Sequence, residues 1–270
     1  MEMVSSAKMK KVQKRLETSK PYEVKVNEII GNLVSTGVTA SHNPLFIEAA
    51  NPSRALILQI TGNRGLCGSF NTNIIDNSLK LKDKLAADGI EAQIYSVGKK
   101  GTNFFNFINQ PVFKSEENMD DKLTFEYVTN LGNMLTRLFE TREFHEVYVC
   151  YSKVNSSTNQ KPDIIKLLPI APDLEEQTDV LGGSTRDYIF DPNPDRIFSY
   201  ILPLYIKVKL FTCFLETSFS EQFARMVAMK NASDASSEMV KELTISYNRA
   251  RQAKITNEIA EIVGGAAALE

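Results

Sequence analysis

Tryptophan is absent from the 270 residues, histidine occurs twice (His42, His145) and cysteine three times (Cys67, Cys150, Cys213). These five residues are too scattered for CxxC, HExxH or any paired His/Cys spacing, which excludes a zinc site built from soft ligands. An odd cysteine count without disulfide-framework spacing fits a reducing compartment. Charge of one sign is also lacking. Lys plus Arg total 31 against 33 for Asp plus Glu, a net charge of −2, which gives no global field to hold a nucleic acid or an anionic bilayer. Nor is there a long apolar run. The most apolar stretch, 197–215, carries Lys207 and Lys209 in its middle and Pro203 within it, and each central lysine costs roughly 2.5–3.5 kcal/mol to insert in a membrane. That stretch reads as an amphipathic helix with a wide apolar face, not a span. The first twenty residues are basic and lack the apolar core of a secretion signal. What the chain does have is 43% hydrophobic and 24% charged residues, enough for a packed core in one or two domains.

Three zones differ in hydrophobic period. From Glu2 to about Gly37, Val12, Leu16, Val26, Ile30, Leu33 and Val34 recur at helical spacing. No capping residue precedes this helix, so it starts as though a preceding segment were missing. From about Pro52 to Asp191, short apolar runs alternate with helical patterns. Strands are expected at 55–60, 90–97, 146–151 and 163–170, the last antiparallel, and helices at 72–87, 102–108 and 122–142. Such alternation predicts an α/β layered domain with a mainly parallel sheet. Asp191-Pro192 and Asn193-Pro194 each pair an N-cap residue with proline at the first helical position. From there Ile201, Leu204, Val208, Phe211, Leu215 and Phe219 begin a stripe at alternating spacings of three and four that runs on to Ile262. Unbroken, that helix is a rod on the order of 100 Å long, with Pro203 as a candidate kink. Two helical termini flanking a compact insert predict an antiparallel helical pair with an α/β domain at one end. The expected units are 1–50, 51–191 and 192–270.

The glycine-rich segment Gly62-Asn-Arg-Gly-Leu-Cys-Gly-Ser-Phe70 follows the first strand, where an α/β domain holds a phosphate. Its G-x-x-G-x-x-G spacing breaks the dinucleotide fingerprint, and no G-K-[ST] closes it as a P-loop. Three readings stand: a nucleotide loop, a tight strand-to-helix turn that needs glycine, and a protein contact presenting Arg64. Cys67 beside a helix start is a nucleophile if its thiol pKa is lowered, with His145 as a conceivable neighbour, and otherwise an inert thiol. The basic face of the first helix (Lys8, Lys10, Lys11, Lys14, Arg15) is either a solvated surface or a match for an acidic partner.

At the two ends and the glycine loop the pattern becomes specific. Met1-Glu-Met-Val-Ser-Ser-Ala-Lys-Met9, Gly65-Leu-Cys-Gly68 with Phe70-Asn71, Ala224-Arg-Met-Val-Ala-Met-Lys-Asn-Ala232, and Tyr247-Asn-Arg-Ala-Arg-Gln-Ala253 through Gly264 together resemble the gamma subunit of F-type ATP synthase. The resemblance covers the whole chain, most specifically its last forty to fifty residues. It implies a Rossmann-like α/β domain inserted in a long antiparallel coiled coil, and a central rotor that couples ion flow through the membrane c-ring to ATP synthesis. The implied partners are the alpha and beta subunits, epsilon and the c-ring, with no cofactor, no catalytic residue in this chain and no nucleic acid. The implied location is the cytoplasmic face of the inner or plasma membrane, reached through the complex.

Carried over by motif, Arg225, Arg251 and Gln252 match the family's contacts to the beta subunits, and Met1 matches the methionine facing them from the other helix. Thr256 and Glu258 match the same coupling region, and Arg64, Gly65, Leu66, Cys67 and Gly68 match the loop that approaches the lower lobes of beta. Arginine suits this task because its fork makes and breaks charge-assisted bonds with carboxylates. The chain departs from the family by beginning at the Met-Glu-Met-Val motif, where relatives carry further helix and a basic stretch. It also has Asn63 where an acidic residue is common and Ser69 where glycine is common. The rival reading is a small-molecule α/β enzyme using Gly62–Gly68 and Cys67.

Overall fold

The computed structural model describes residues 1–35, 44–117, 123–156, 159–170 and 194–267. His42, the linker 172–193 and the N-cap Asn193 lie outside them. Helix α1 spans Glu2–Ser35 and runs through Pro21. Strand β1 (Arg54–Ile60), helix α2 (Phe70–Ala87), strand β2 (Glu91–Val97), helix α3 (Lys99–Phe107) and strand β3 (Lys114–Glu116) follow. Helix α4 (Phe125–Glu140) starts at Thr124, whose hydroxyl accepts the Tyr127 N–H at 3.2 Å, a side-chain cap for one of the orphan donors of the first turn. Strands β4 (Glu146–Ser156) and β5 (Asn159–Leu168) form a hairpin, and helix α5 runs from Pro194 to Ala267.

The five strands lie in the order β3-β2-β1-β4-β5. Every pairing is parallel except the β4–β5 hairpin. Alternation along β1 divides the core: Ala55 and Ile57 face α2 and α3 with Ile74, Leu81, Leu85 and Phe105. Leu56, Leu58 and Ile60 face the other side, joining Val128, Leu131 and Leu135 of α4 with α5 and α1. The period of two in the strand thus produces three layers.

Two expectations need correction. Strand β3 has only three residues and leaves no periodic trace, so a fifth strand was not foreseen. The single-stripe reading of α5 is also too narrow. Leu202, Ile206, Leu210, Cys213 and Phe214 are buried as well as Val208, Leu215 and Phe219, because α5 lies between α1 on one side and β4 and α4 on the other. Phe211 meets Phe125 edge to face at 5.5 Å and takes the Arg15 guanidinium over its ring at 5.7 Å, while Phe214 meets Tyr127 at 6.0 Å.

Polar side chains of α5 also bind the sheet. Val154 N–H donates to Glu216 at 3.3 Å, Ser152 N–H to Thr217 Oγ1 at 3.4 Å, and the Ser220 hydroxyl to the Ser152 carbonyl at 3.5 Å. The lysines that exclude a membrane span have their own places. Lys209 Nζ stands 3.7 Å from Glu23 of α1. The Lys207 stem crosses Gly132 of α4, where an added Cβ would stand 3.2 Å from Lys207 Cγ, so its methylenes are packed and its ammonium is free to reach water. Helix α5 is continuous through Pro203. Its 74 residues make a rod of about 110 Å at 1.5 Å per residue.

Candidate partner-contact site

Residues 61–69 connect β1 to α2 at the carboxyl edge of the parallel strands. Thr61 is the hub: its N–H and hydroxyl donate to the Val97 carbonyl at 2.8 and 3.1 Å, and its Oγ1 accepts the Gly101 N–H at 3.1 Å. Gly62 N–H donates to Asn71 Oδ1 at 2.9 Å, and Asn63 Oδ1 accepts the Lys99 N–H at 3.2 Å. Asn63 therefore caps the start of α3. Gly68 has φ 57, a left-handed turn that glycine adopts without strain. Leu66 adopts φ 62 with a branched side chain, at a cost of roughly 1–2 kcal/mol, and is 61% exposed. Arg64 and Gly68 are exposed beside it. The turn and protein-contact readings of the loop both fit this geometry. The amides of Gly62, and of Lys99 and Gly101 on α3, already bind the chain's own oxygens, so none of these three is open to a phosphate.

The loop is tied to α5 from beneath. Arg225 Nε donates to the Gly65 carbonyl at 3.2 Å, and its Nη2 pairs with Glu221 one turn earlier on the helix. Arg225 is 6% exposed and Glu221 3%, so this is a buried pair. Glu221 in turn packs on Gly62, where a Cβ would stand 2.8 Å from its carboxyl carbon. The guanidinium expected to face a partner thus faces its own loop in this chain.

Cys67 is buried in the same contact, with Asn71 Nδ2 donating to its sulfur at 3.2 Å. Burial first, and then the nearby Glu221 charge, push its thiol pKa up, against a smaller opposing pull from Arg225. That is the reverse of an activated nucleophile. His145 offers no relay. Its Nδ1 accepts the Arg54 N–H at 3.3 Å at the start of β1, whereas Cys67 lies beyond the strand's end, about 20 Å away at 3.3 Å per residue. Burial also pushes the Cys150 thiol up to about 12. Among the described residues no three His, Cys, Asp or Glu side chains gather as a metal site, and no helix is long and apolar enough to cross a membrane.

The remaining predicted residues stand apart from the loop. From Lys230 to Gly265 every residue of α5 is exposed, and Val263 lies about 57 Å beyond Arg225 along the helix axis at 1.5 Å per residue. Arg251, Gln252, Thr256 and Glu258 are all on this arm, with Lys254 Nζ 3.9 Å from Glu258. Gln252 and Thr256 are four apart and Arg251 and Glu258 seven apart, so they occupy adjacent strips of one face. Met239, Leu243, Tyr247, Ile255, Ile259 and Ile262 are exposed along the arm at helical spacing, an apolar stripe of the kind that marks an interaction surface. Met1 is exposed at the start of α1. Sequence reasoning gave no role to Thr61, Asn71 or Glu221. Asn71 stands in the Phe70-Asn71 motif without a stated task, and Glu221 leaves a signal as an acidic residue four positions before an arginine on a helix.

The ATP synthase family model matches residues 1–269. The ATP synthase gamma chain of Leptospira biflexa is 37% identical over all of this chain and 92% of its own length, and that of Nitratidesulfovibrio vulgaris is 36% identical with the same coverage. Among solved structures, a chain of the Tetrahymena thermophila mitochondrial ATP synthase central stalk and c-ring assembly has a TM-score of 0.64 at 24% identity, covering 86% of this chain and 97% of that one. A chain of the Euglena gracilis mitochondrial ATP synthase rotor has a TM-score of 0.57 at 18% identity, covering 93% and 99%. Helix α5, rooted in an α/β core and exposed along its far half, occurs here with sequence identity over the full chain, and the chain belongs to the family of ATP synthase gamma chains.

Proposed function

We propose that the chain works as the central rotor stalk of an F-type ATP synthase. It transmits rotation of a membrane c-ring, driven by proton flow, to the catalytic hexamer of alpha and beta subunits, and holds no catalytic residue itself. Residues 51–191 are the foot, meeting epsilon and the c-ring, and residues 1–50 and 192–270 form the shaft. The complex lies peripherally on the cytoplasmic face of the membrane.

The observation that carries this reading is that one helix is both core and arm. Rotation applied to the foot reaches Arg251 and Gln252 through continuous backbone hydrogen bonds, with no loop between. Arg251, Gln252, Thr256 and Glu258 on the arm, and Met1 at the start of α1, are proposed contacts of the beta subunits. An arginine fork exchanges carboxylate partners as the surface before it changes, and exposed aliphatic residues make contact without directional bonds.

The test is reconstitution with alpha and beta subunits and a proton-pumping assay. Arg251→Ala and Gln252→Ala are exposed positions, so folding is unaffected, and ATP-driven pumping is expected to fall. Undiminished pumping in both variants would remove the contact assignment. The enzyme alternative, resting on Gly62–Gly68 and Cys67, is tested by titrating the chain with ATP and NAD, and micromolar binding would revive it.

A further inference from the structure

The buried Glu221–Arg225 pair lies where α5 is about to leave the core, a turn before its fully exposed stretch begins at Lys230. Three contacts meet there. Arg225 grips the Gly65 carbonyl, Glu221 packs on Gly62, and Asn71 binds both Gly62 N–H and the Cys67 sulfur. Between these fixed points stand the two outward side chains of the loop, Arg64 and Leu66, with Leu66 held in a left-handed conformation. A leucine persists in that conformation, exposed, only where its surroundings over-determine it.

We infer that Glu221 and Arg225 are positioning residues for the glycine loop, holding Gly65 against α5 so that Arg64 and Leu66 meet a partner in fixed register with the shaft. This rests on the reading of the loop as a contact to the beta subunits. Arg225 then acts through the loop. Its guanidinium serves a carboxylate and a carbonyl at once, which an ammonium at the same place cannot do with the same geometry. The loop, which belongs to the foot, and the arm, which belongs to the shaft, present one rigid surface.

The experiment has two arms, both on the full chain. Trypsin cleavage after Arg64 reports release of the loop, with cleavage after Arg249 in the exposed arm as internal reference. Arg225→Lys keeps the charge but loses the bond to Gly65, and cleavage after Arg64 is expected to rise about fivefold, the loss of one ordinary hydrogen bond. Glu221→Gln raises it by less, and Leu66→Ala leaves it unchanged. In the second arm, each variant is assembled with alpha and beta subunits and the ratio of protons pumped to ATP hydrolysed is measured. All three are expected to lower it, Leu66→Ala by removing the contact and the other two by misplacing it. Unchanged cleavage in Arg225→Lys overturns the positioning role. Raised cleavage with an unchanged pumping ratio in all three variants overturns the loop's part in partner contact, and the proposal with it. Loss of cleavage specificity throughout the chain would show that Arg225 only supports folding, which also overturns it.

Discussion

Glu216 makes the stability of the chain depend on pH in a direction opposite to most carboxylates. It sits on α5 where that helix meets α1 and β4, accepting the Val154 N–H at 3.3 Å. Burial pushes its pKa from 4.5 up to about 7, and Glu23 of α1 adds to the rise. The Val154 bond, Lys153 of β4 and Lys209 of α5 pull the other way and lose. Between pH 4.5 and 7 the folded chain therefore holds a proton that the unfolded chain has released, and stability falls as pH rises through that window before levelling off. At 1.36 kcal/mol per pH unit the full change is about 3 kcal/mol. Glu216→Gln keeps the shape and an oxygen to accept the Val154 N–H but has no charge to bury. Urea unfolding of both chains from pH 5 to 8 isolates this residue, because other titrations cancel in the difference. The glutamine variant is expected to gain on the wild type by about 1.4 kcal/mol per pH unit up to pH 7, and to be the more stable chain at pH 8. A difference that stays flat across the range would refute the argument.

Three other outcomes are expected. Phe214→Ala removes a fully buried ring from the layer between α5 and the sheet, costing about 3–5 kcal/mol, read as a lower urea midpoint. Gly98→Ala places a Cβ 2.2 Å from the Thr61 carbonyl oxygen at φ 111. Overpacking and backbone strain together cost about 3 kcal/mol or more, and thermal melting should show it along with faster amide exchange in the loop 61–69. In the native chain at pH 7.5, a small disulfide reagent should modify Cys67 far more slowly than free cysteine, since the thiol is buried with a raised pKa. Rapid labelling would show the loop to be open.

The parts of the fold legible in the sequence were those with a strong period and a single buried side. Strands β1, β2 and β4 begin within a residue or so of where their apolar runs begin. Helix α3 starts earlier than Thr102 because Lys99 and Lys100 look like loop and Gly101 like a breaker. In the fold, Gly101 is instead demanded by close approach, with Gln59 Oε1 only 2.6 Å from where its Cβ would be. Strand β5 begins at Asn159 although Pro162 lies within it, which an edge strand tolerates and an interior one does not. The buried sides of α5 could not be separated from periodicity alone, because three neighbours of the helix come from distant parts of the chain. The same limit applied to the site. Motifs named Arg225 and the glycine loop, but that the two bind each other across 160 positions of sequence is tertiary information.

The many-sided burial of α5 fixes how it can carry load. A smooth cylinder in a matching socket could spin about its own axis at little cost, as a loose spindle slips in its hub. Slipping α5 by one residue position would carry Leu202, Ile206, Leu210 and Phe214 out of their places together. At about 1.5–3 kcal/mol for each large apolar side chain exposed, the barrier is on the order of ten times the thermal energy or more. The hydrogen bonds from Glu216, Thr217 and Ser220 to β4 would break in the same step. The helix is a splined axle, locked to its hub by teeth, so twist entering through the sheet has nowhere to go but along the rod.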